Sequence, residues 1–129
     1  MKKTKKNNNY NLLKNWLPVF LWAAVIFYFS AFSQPKVSEF FIWDYVVKKI
    51  AHITEYAILY ALIYKATKQN LILAYIITIS YAATDEFHQS FVIGRTATPL
   101  DLGFDASGAN IATYLLWKLK QIRQKKARK

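Results

Sequence analysis

Residues 16–33 read WLPVFLWAAVIFYFSAFS and contain no charged side chain. At a rise of about 1.5 Å per residue, a helix of this length nearly crosses a hydrocarbon core about 30 Å thick. Pro18 would fall in the first turn, where proline is tolerated, so the stretch predicts a membrane-spanning helix. The alternative is a signal peptide, because a basic segment precedes the run and Ala31-Phe32-Ser33 is an acceptable cleavage sequence. We favour a retained anchor because later apolar runs also require a membrane.

Three more helices are predicted after this one. The second covers residues 46–64, the third begins at Leu71 and runs past residue 83 into a polar cluster, and the fourth covers residues 101–117. Residues 34–45, 65–70 and 89–100 connect them, and the Lys- and Asn-rich residues 1–15 have a composition typical of disorder. No repeat or linker indicates a second domain. We therefore predict an all-α, integral membrane four-helix bundle of residues 16–117, with basic tails at residues 1–15 and 118–129.

The chain carries a net charge of +11, and this charge is segregated along the sequence. Twelve of the eighteen basic residues lie in residues 2–14 and 118–129, whereas all seven acidic residues lie between Glu39 and Asp105. Basic segments that flank apolar runs follow the positive-inside rule, which predicts four spans with both termini in the cytoplasm. Nucleic-acid binding is disfavoured because the basic residues are not interleaved with aromatic residues on a folded face. The expected partners are membrane lipids, and the expected location is the cell membrane.

A polar cluster interrupts the apolar pattern at residues 84–95, which read TDEFHQSFVIGR, and continues at Asp101 and Asp105. In the four-span arrangement, the polar halves of helices two, three and four all lie at the outward face. Residues three or four apart share a helix face, as His52 and Glu55 do on the second helix. Ionisable groups within membrane segments predict a functional site. The residues expected to converge there are Lys48, Lys49, His52, Glu55, Asp85, Glu86, His88, Arg95, Asp101, Asp105 and Asn110.

The cluster contains the groups needed for acid–base chemistry or for binding an anion. His52 and His88 beside carboxylates suit general acid–base catalysis, and Arg95 suits a bidentate contact with phosphate or carboxylate. We predict no metal and no cofactor, because the histidine spacing matches no zinc motif, the chain has no Cys, and nucleotide-binding glycine patterns are missing. The structural alternative is that these groups only hold the bundle together through interhelical hydrogen bonds.

Several short motifs occur in a fixed order through this region. Lys49-x-x-His52-x-x-x-Tyr56 is followed by Asp85-Glu86-x-His88-Gln89-x-Phe91, then by Gly94-Arg95, Asp101 and Asp105-x-x-Gly108. This series resembles the VanZ-like family of small bacterial membrane proteins, which is named for low-level resistance to the glycopeptide teicoplanin. The sequence departs from the family at Asp105, where many members have Asn, and at Ile93, where Pro often precedes Gly-Arg. The functional residues that the resemblance implies are Lys49, His52, Tyr56, Asp85, Glu86, Gln89, Arg95, Asp101, Asp105 and Gly108.

These observations predict an outward-facing polar site that acts on or binds a cell-envelope component, such as a lipid-linked precursor or a glycopeptide. The alternatives are a non-catalytic binding or assembly factor and a small proton-coupled carrier, for which four spans are few unless the protein oligomerises. The candidate catalytic residues are His52, Asp85, Glu86, His88, Asp101 and Asp105. The candidate substrate-binding residues are Lys49, Tyr56, Gln89, Arg95 and Asn110.

Overall fold

The computed structural model describes residues 2–32, 41–95 and 97–128, and describes side chains within residues 12–32, 42–95 and 97–128. In these ranges the chain forms four helices and no strand, which confirms the predicted all-α class for this part of the chain. The helices are α1 (Lys2–Ser30), α2 (Phe41–Ala66), α3 (Leu71–Gln89) and α4 (Pro99–Ala127). Most of the predicted loop at residues 34–45 lies outside the described residues.

Both terminal helices are longer than the sequence pattern predicts. α1 begins at Lys2, so residues 2–15 are helical where their composition predicts disorder, and Pro18 lies in the helix interior instead of the first turn. α4 continues from the predicted span through the basic tail to Ala127. The physical reason is that neither tail contains Gly or Pro, and a helix that has already formed extends at low cost per residue.

The four helices run up, down, up and down. α1 and α3 run in the same direction, because Tyr81 donates to the carbonyl oxygen of Ala23 at 2.6 Å and Ser30 donates to Asp85 at 2.8 Å, further along both helices. α2 and α4 also run in the same direction, because the pair Lys49–Asp101 is followed further along both helices by the pair His52–Asp105. This topology brings the starts of α2 and α4 to one end of the bundle and their last turns to the other.

α2 is the central helix of the bundle and contacts the other three. Its second half supplies the largest buried side chains, including Tyr56, Leu59, Tyr60 and Ile63. Small residues on the neighbouring helices face this half of α2, and the buried ones are Ala74, Ala82, Ala109 and Ala112. Large side chains on one helix therefore pack against small ones on its neighbours, so the helices approach closely.

Many large apolar side chains remain exposed on the outside of the bundle. Phe20 on α1 is 66% exposed and Ile72 on α3 is 74% exposed, and similar side chains occur on α2 and α4. Among the described residues, one helix is both long and apolar enough to cross a membrane, at Leu12–Ser30, with a mean hydropathy of 1.6. α2, α3 and α4 combine apolar stretches with the ionisable residues of the polar cluster, which lower their mean hydropathy.

Candidate functional site

A polar cleft of about 410 Å³ opens at one end of the bundle. It lies between the first turns of α2 and α4, the last turn of α3 and the loop that joins α3 to α4. The residues that line it are Asp44, Tyr45, Lys48, Lys49, His52, Gln89, Gly94, Arg95, Thr98, Leu100 and Asp101. Six of the residues predicted from the sequence therefore meet at its wall, and they are Lys48, Lys49, His52, Gln89, Arg95 and Asp101.

His52 and Asp105 form a buried pair that joins α2 to α4. His52 Nδ1 lies 3.0 Å from Asp105 Oδ1, His52 is 8% exposed and Asp105 is fully buried. Since Asp105 engages Nδ1, the ring nitrogen that remains for a ligand in the cleft is Nε2. A carboxylate in this position fixes the orientation of the imidazole and stabilises its protonated form.

A glycine one turn beyond Asp105 permits this close approach of the two helices. A Cβ at Gly108 would overlap the carbonyl oxygen of Ile53, which is the residue after His52. Only glycine can occupy such a contact without moving one of the backbones. Gly108 therefore places Asp105 within hydrogen-bond distance of His52, and this accounts for the Asp105-x-x-Gly108 spacing.

Lys49 and Asp101 form a second connection between α2 and α4 at the cleft wall. Lys49 Nζ pairs with Asp101 Oδ1 and lies 5.1 Å from the ring centroids of both Tyr45 and Phe104. Asp101 Oδ2 accepts hydrogen bonds from the backbone N–H and hydroxyl of Thr98, at 3.2 and 2.9 Å, and so caps the start of α4. Both side chains are thus held in place by the fold.

Below the cleft, Asp85 connects three helices. Its Oδ2 accepts hydrogen bonds from Ser30 Oγ at 2.8 Å, Tyr56 OH at 3.1 Å and Gln89 Nε2 at 2.7 Å. Asp85 is 2% exposed and Tyr56 is fully buried. The contact with Gln89 spans one turn of α3, whereas those with Ser30 and Tyr56 come from α1 and α2. One carboxylate oxygen therefore ties α1 and α2 to α3.

Several buried carboxylate oxygens have no hydrogen-bond partner among the described residues. They are Asp85 Oδ1, Asp105 Oδ2 and both side-chain oxygens of Glu86. Leaving a buried carboxylate oxygen without a donor is costly, and native structures usually provide one from the protein or from water. Asp85 and Asp105 therefore give the buried part of the site unused acceptor capacity that a proton, a water molecule or a bound donor would satisfy.

Arg95 contacts the end of α1 as well as the cleft. Its Nη1 donates to the carbonyl oxygens of Ser30 at 3.1 Å and Phe29 at 3.4 Å, which satisfies acceptors at the C-terminal end of that helix. Gly94 precedes it with a φ of 84°, a left-handed conformation that glycine adopts readily. Among the described residues its hydrogen bonds are formed through Nη1, so Nη2 and Nε are available to a ligand in the cleft, which Arg95 lines.

Two predicted site residues lie away from the cleft. The His88 ring stacks on Phe27, with the centroids 4.3 Å apart and an angle of 25° between the planes, so it faces α1. Asn110 is exposed on α4. The structure therefore does not bring His52 and His88 together as an acid–base pair, and Asp105 is the group that lies beside His52.

The structure also places residues in the site that sequence reasoning missed. Ser30 is buried against Asp85, but it ends an apolar run and nothing in the sequence distinguishes it from the other serines. Thr98 was recognisable, since Thr98-Pro99-x-Asp101 has the pattern of a helix start with a reciprocal cap. Among the described residues, no group of three or more His, Asp or Glu is arranged to hold a metal ion.

A family model matches most of the chain. The model of the VanZ/LLP1 family matches residues 2–121, which includes every residue that lines the cleft as well as Asp85 and Asp105. Searches of curated proteins and of solved structures find no match.

Proposed function

The chain belongs to the VanZ/LLP1 family, and on that premise we propose that it is a four-span membrane protein with both termini in the cytoplasm. The cleft then faces outward and takes an anionic, lipid-linked component of the cell envelope. The observation that carries this proposal is the His52–Asp105 pair, with its atoms 3.0 Å apart, in a cleft bordered by Lys49 and Arg95.

The dimensions of α4 support a membrane position. The distance along the helix from Asp101, at the cleft, to Lys118, where the basic end begins, is about 26 Å at the usual helical rise. This distance is close to the thickness of a hydrocarbon core, about 30 Å. Between these two residues, α4 exposes Ile111, Tyr114 and Leu115, each at least half exposed. Exposed apolar side chains between two polar ends at this separation suit a bilayer, and the basic residues at the second end suit the cytoplasmic side.

Hydroxyl groups on three helices support the same position. Thr54, Thr78 and Thr113 each donate to the carbonyl oxygen four residues earlier in their own helix, at 2.7–2.8 Å. A hydroxyl that is satisfied within its helix presents no unpaired donor to lipid. These three threonines can therefore lie within a bilayer although their side chains are polar.

The chemistry follows from the groups at the cleft wall. Arg95, through Nη2 and Nε, and Lys49 would hold a phosphate, because guanidinium and ammonium groups are the usual partners of that anion. His52 would take a proton from a hydroxyl or a water molecule through Nε2, and Asp105 would balance the positive charge that the ring then carries. A substrate with a phosphate beside a reacting oxygen fits this arrangement.

The test compares wild type with two histidine variants in a teicoplanin-sensitive Gram-positive host, at matched membrane levels. Mass spectrometry of the envelope lipids should detect a covalent species that depends on the wild-type protein, accompanied by lower teicoplanin susceptibility. His52→Gln should reduce this product about a hundredfold or more, because a general acid–base group typically contributes that much. His88→Gln is the control and should behave as wild type. Equal product from wild type and His52→Gln would refute the catalytic proposal.

A non-catalytic binder is the second candidate. Lys48 and Lys49 are already paired with Asp44 and Asp101, so much of the wall is preorganised without a ligand. In that case teicoplanin susceptibility would change without a new covalent species, and Arg95→Lys would remove the effect because Lys cannot reproduce the guanidinium geometry.

A proton-coupled carrier is the third candidate, because the unpartnered oxygens of Asp85 and Asp105 could bind and release protons. This function requires uptake of a solute that depends on a pH gradient.

A further inference from the structure

We propose that the end of the bundle opposite the cleft holds a site for the head group of an anionic phospholipid. A pocket of about 300 Å³ lies there between the last turns of α2 and α4, and we call it the basic pocket. Its basic lining residues are Lys120 and Arg123, three residues apart on α4. This proposal is independent of the function of the cleft, because no residue is shared between the two sites.

The two cations of the basic pocket have no carboxylate partner among the described residues. No Asp or Glu occurs in residues 56–84, which form this end of α2 and the start of α3, or in residues 106–129, which include this end of α4. All three ion pairs of the described chain lie at the cleft end instead. Lys120 and Arg123 are therefore available to an anion from outside the protein.

Other groups in the pocket also favour an anion. The amides of Gln69 and Gln124 line it beside the two cations. Asn70, next to Gln69, caps the start of α3, so the positive end of that helix dipole lies nearby. A helix start alone would not define a site, but here it adds to unbalanced cations and amide donors at the same pocket.

The apolar part of the pocket identifies the ligand as a lipid instead of a free phosphate ion. Tyr64, Leu116 and Leu119 form this part of the lining, and Leu119 is 49% exposed. A glycerol backbone and the first carbons of an acyl chain would cover this surface, whereas inorganic phosphate would not. Basic groups near a membrane surface attract anionic lipids, and each contributes appreciably to binding.

The test uses the purified full-length protein in a mild detergent and measures lipid binding by native mass spectrometry. Phosphatidylglycerol is the anionic probe and phosphatidylcholine is the zwitterionic probe. We expect the first phosphatidylglycerol to bind more tightly than the first phosphatidylcholine. The double variant Lys120→Gln/Arg123→Gln should weaken the first phosphatidylglycerol by about tenfold to thirtyfold.

Two further variants distinguish a pocket from a diffuse charge effect. Lys125→Gln/Lys126→Gln removes the same charge from the same helix outside the pocket lining, and should weaken binding by less than about threefold. Leu119→Trp keeps the charge and fills the pocket, and should weaken phosphatidylglycerol binding. Circular dichroism should show unchanged helix content in every variant. Equal losses in the two charge variants, equal affinity for the two lipids, or full binding by Leu119→Trp would each overturn the proposal.

Discussion

The basic side chains at the two ends of the bundle differ in whether the protein itself provides partners for them. At the cleft end the basic side chains are engaged within the fold: Lys48 Nζ lies 2.7 Å from Asp44 Oδ2, and Arg95 donates to carbonyl oxygens of α1. At the basic pocket, Lys120 and Arg123 face no carboxylate within the described residues. In the described part of the chain, the cleft end has carboxylate oxygens without a hydrogen-bond donor, and the other end has basic groups without a carboxylate acceptor.

In the proposed membrane position, the charged side chains at the two ends have different surroundings. Charges within a low-dielectric bundle must be paired inside the protein, so at the cleft end they contribute to the packing of α2 against α4. Charges at a wet interface can be balanced by lipid head groups and need no internal partner. We therefore expect substitutions that remove a charge to change stability at the cleft end and lipid binding at the basic end.

The largest expected effect is that of Gly108→Ala at the cleft end. The new methyl group would overlap the carbonyl oxygen of Ile53 and force α4 away from α2, which separates Asp105 from His52. We expect a loss of about 3 kcal/mol or more of stability, together with loss of cleft function. The apparent Tm in detergent measures the first of these effects.

The matched control for this variant is Gly103→Ala on the same helix. A Cβ at Gly103 has no neighbour within 4 Å. This substitution should therefore be neutral or stabilising by up to about 1 kcal/mol, because alanine favours helix. Similar losses in both variants would show that α2 and α4 do not meet closely at Gly108.

A smaller effect on stability is expected when one lysine is substituted at each end of the bundle. Lys49→Gln leaves Asp101 without its cation in a mostly buried setting and should cost about 1–3 kcal/mol. Lys120→Gln removes a side chain that has no internal carboxylate partner and should change stability by less than about 0.5 kcal/mol. Thermal unfolding of both variants in the same detergent makes the comparison. A larger loss for Lys120→Gln would reverse the distinction between the two ends.

The smallest effect concerns left-handed backbone positions at the two ends. The loop at the cleft end uses Gly94, with a φ of 84°, whereas the turn after α2 uses Lys68 and Gln69, with φ of 55° and 64°. Gly94→Ala should cost about 1 kcal/mol, and Lys68→Gly should change stability by a similar amount in the opposite direction. If Lys68→Gly lowers the apparent Tm, the lysine side chain contributes a stabilising contact that exceeds the backbone strain.

The sequence predicts part of the site because the spacing of residues within one helix shows which side chains share a face. Asp85 and Gln89 share a face of α3, and their side chains do form a hydrogen bond at 2.7 Å. The same rule also places His88 one turn from Asp85, yet His88 faces Phe27 on α1. Spacing tells which residues share a helix face, but not which neighbouring helix that face contacts.

The partner of each ionisable group depends on how the helices are rotated and how closely they approach. His52 pairs with Asp105 on α4 because Gly108 lets the two backbones come together. Arg95 contacts Ser30 because the loop after α3 crosses the end of α1. Both contacts join residues that are more than fifty positions apart in the chain, so no local pattern could identify them.

The sequence by itself determined the helical class, the number of helices and the separation of acidic from basic residues, because hydropathy and charge act locally and add along the chain. It also determined the family, since the motifs keep a fixed order and spacing. Only the tertiary structure decided that Asp105 pairs with His52, that Ser30 donates a hydrogen bond to Asp85, and that Lys120 and Arg123 line the same pocket. These depend on packing between helices, where a single missing Cβ sets the distance at which side chains meet.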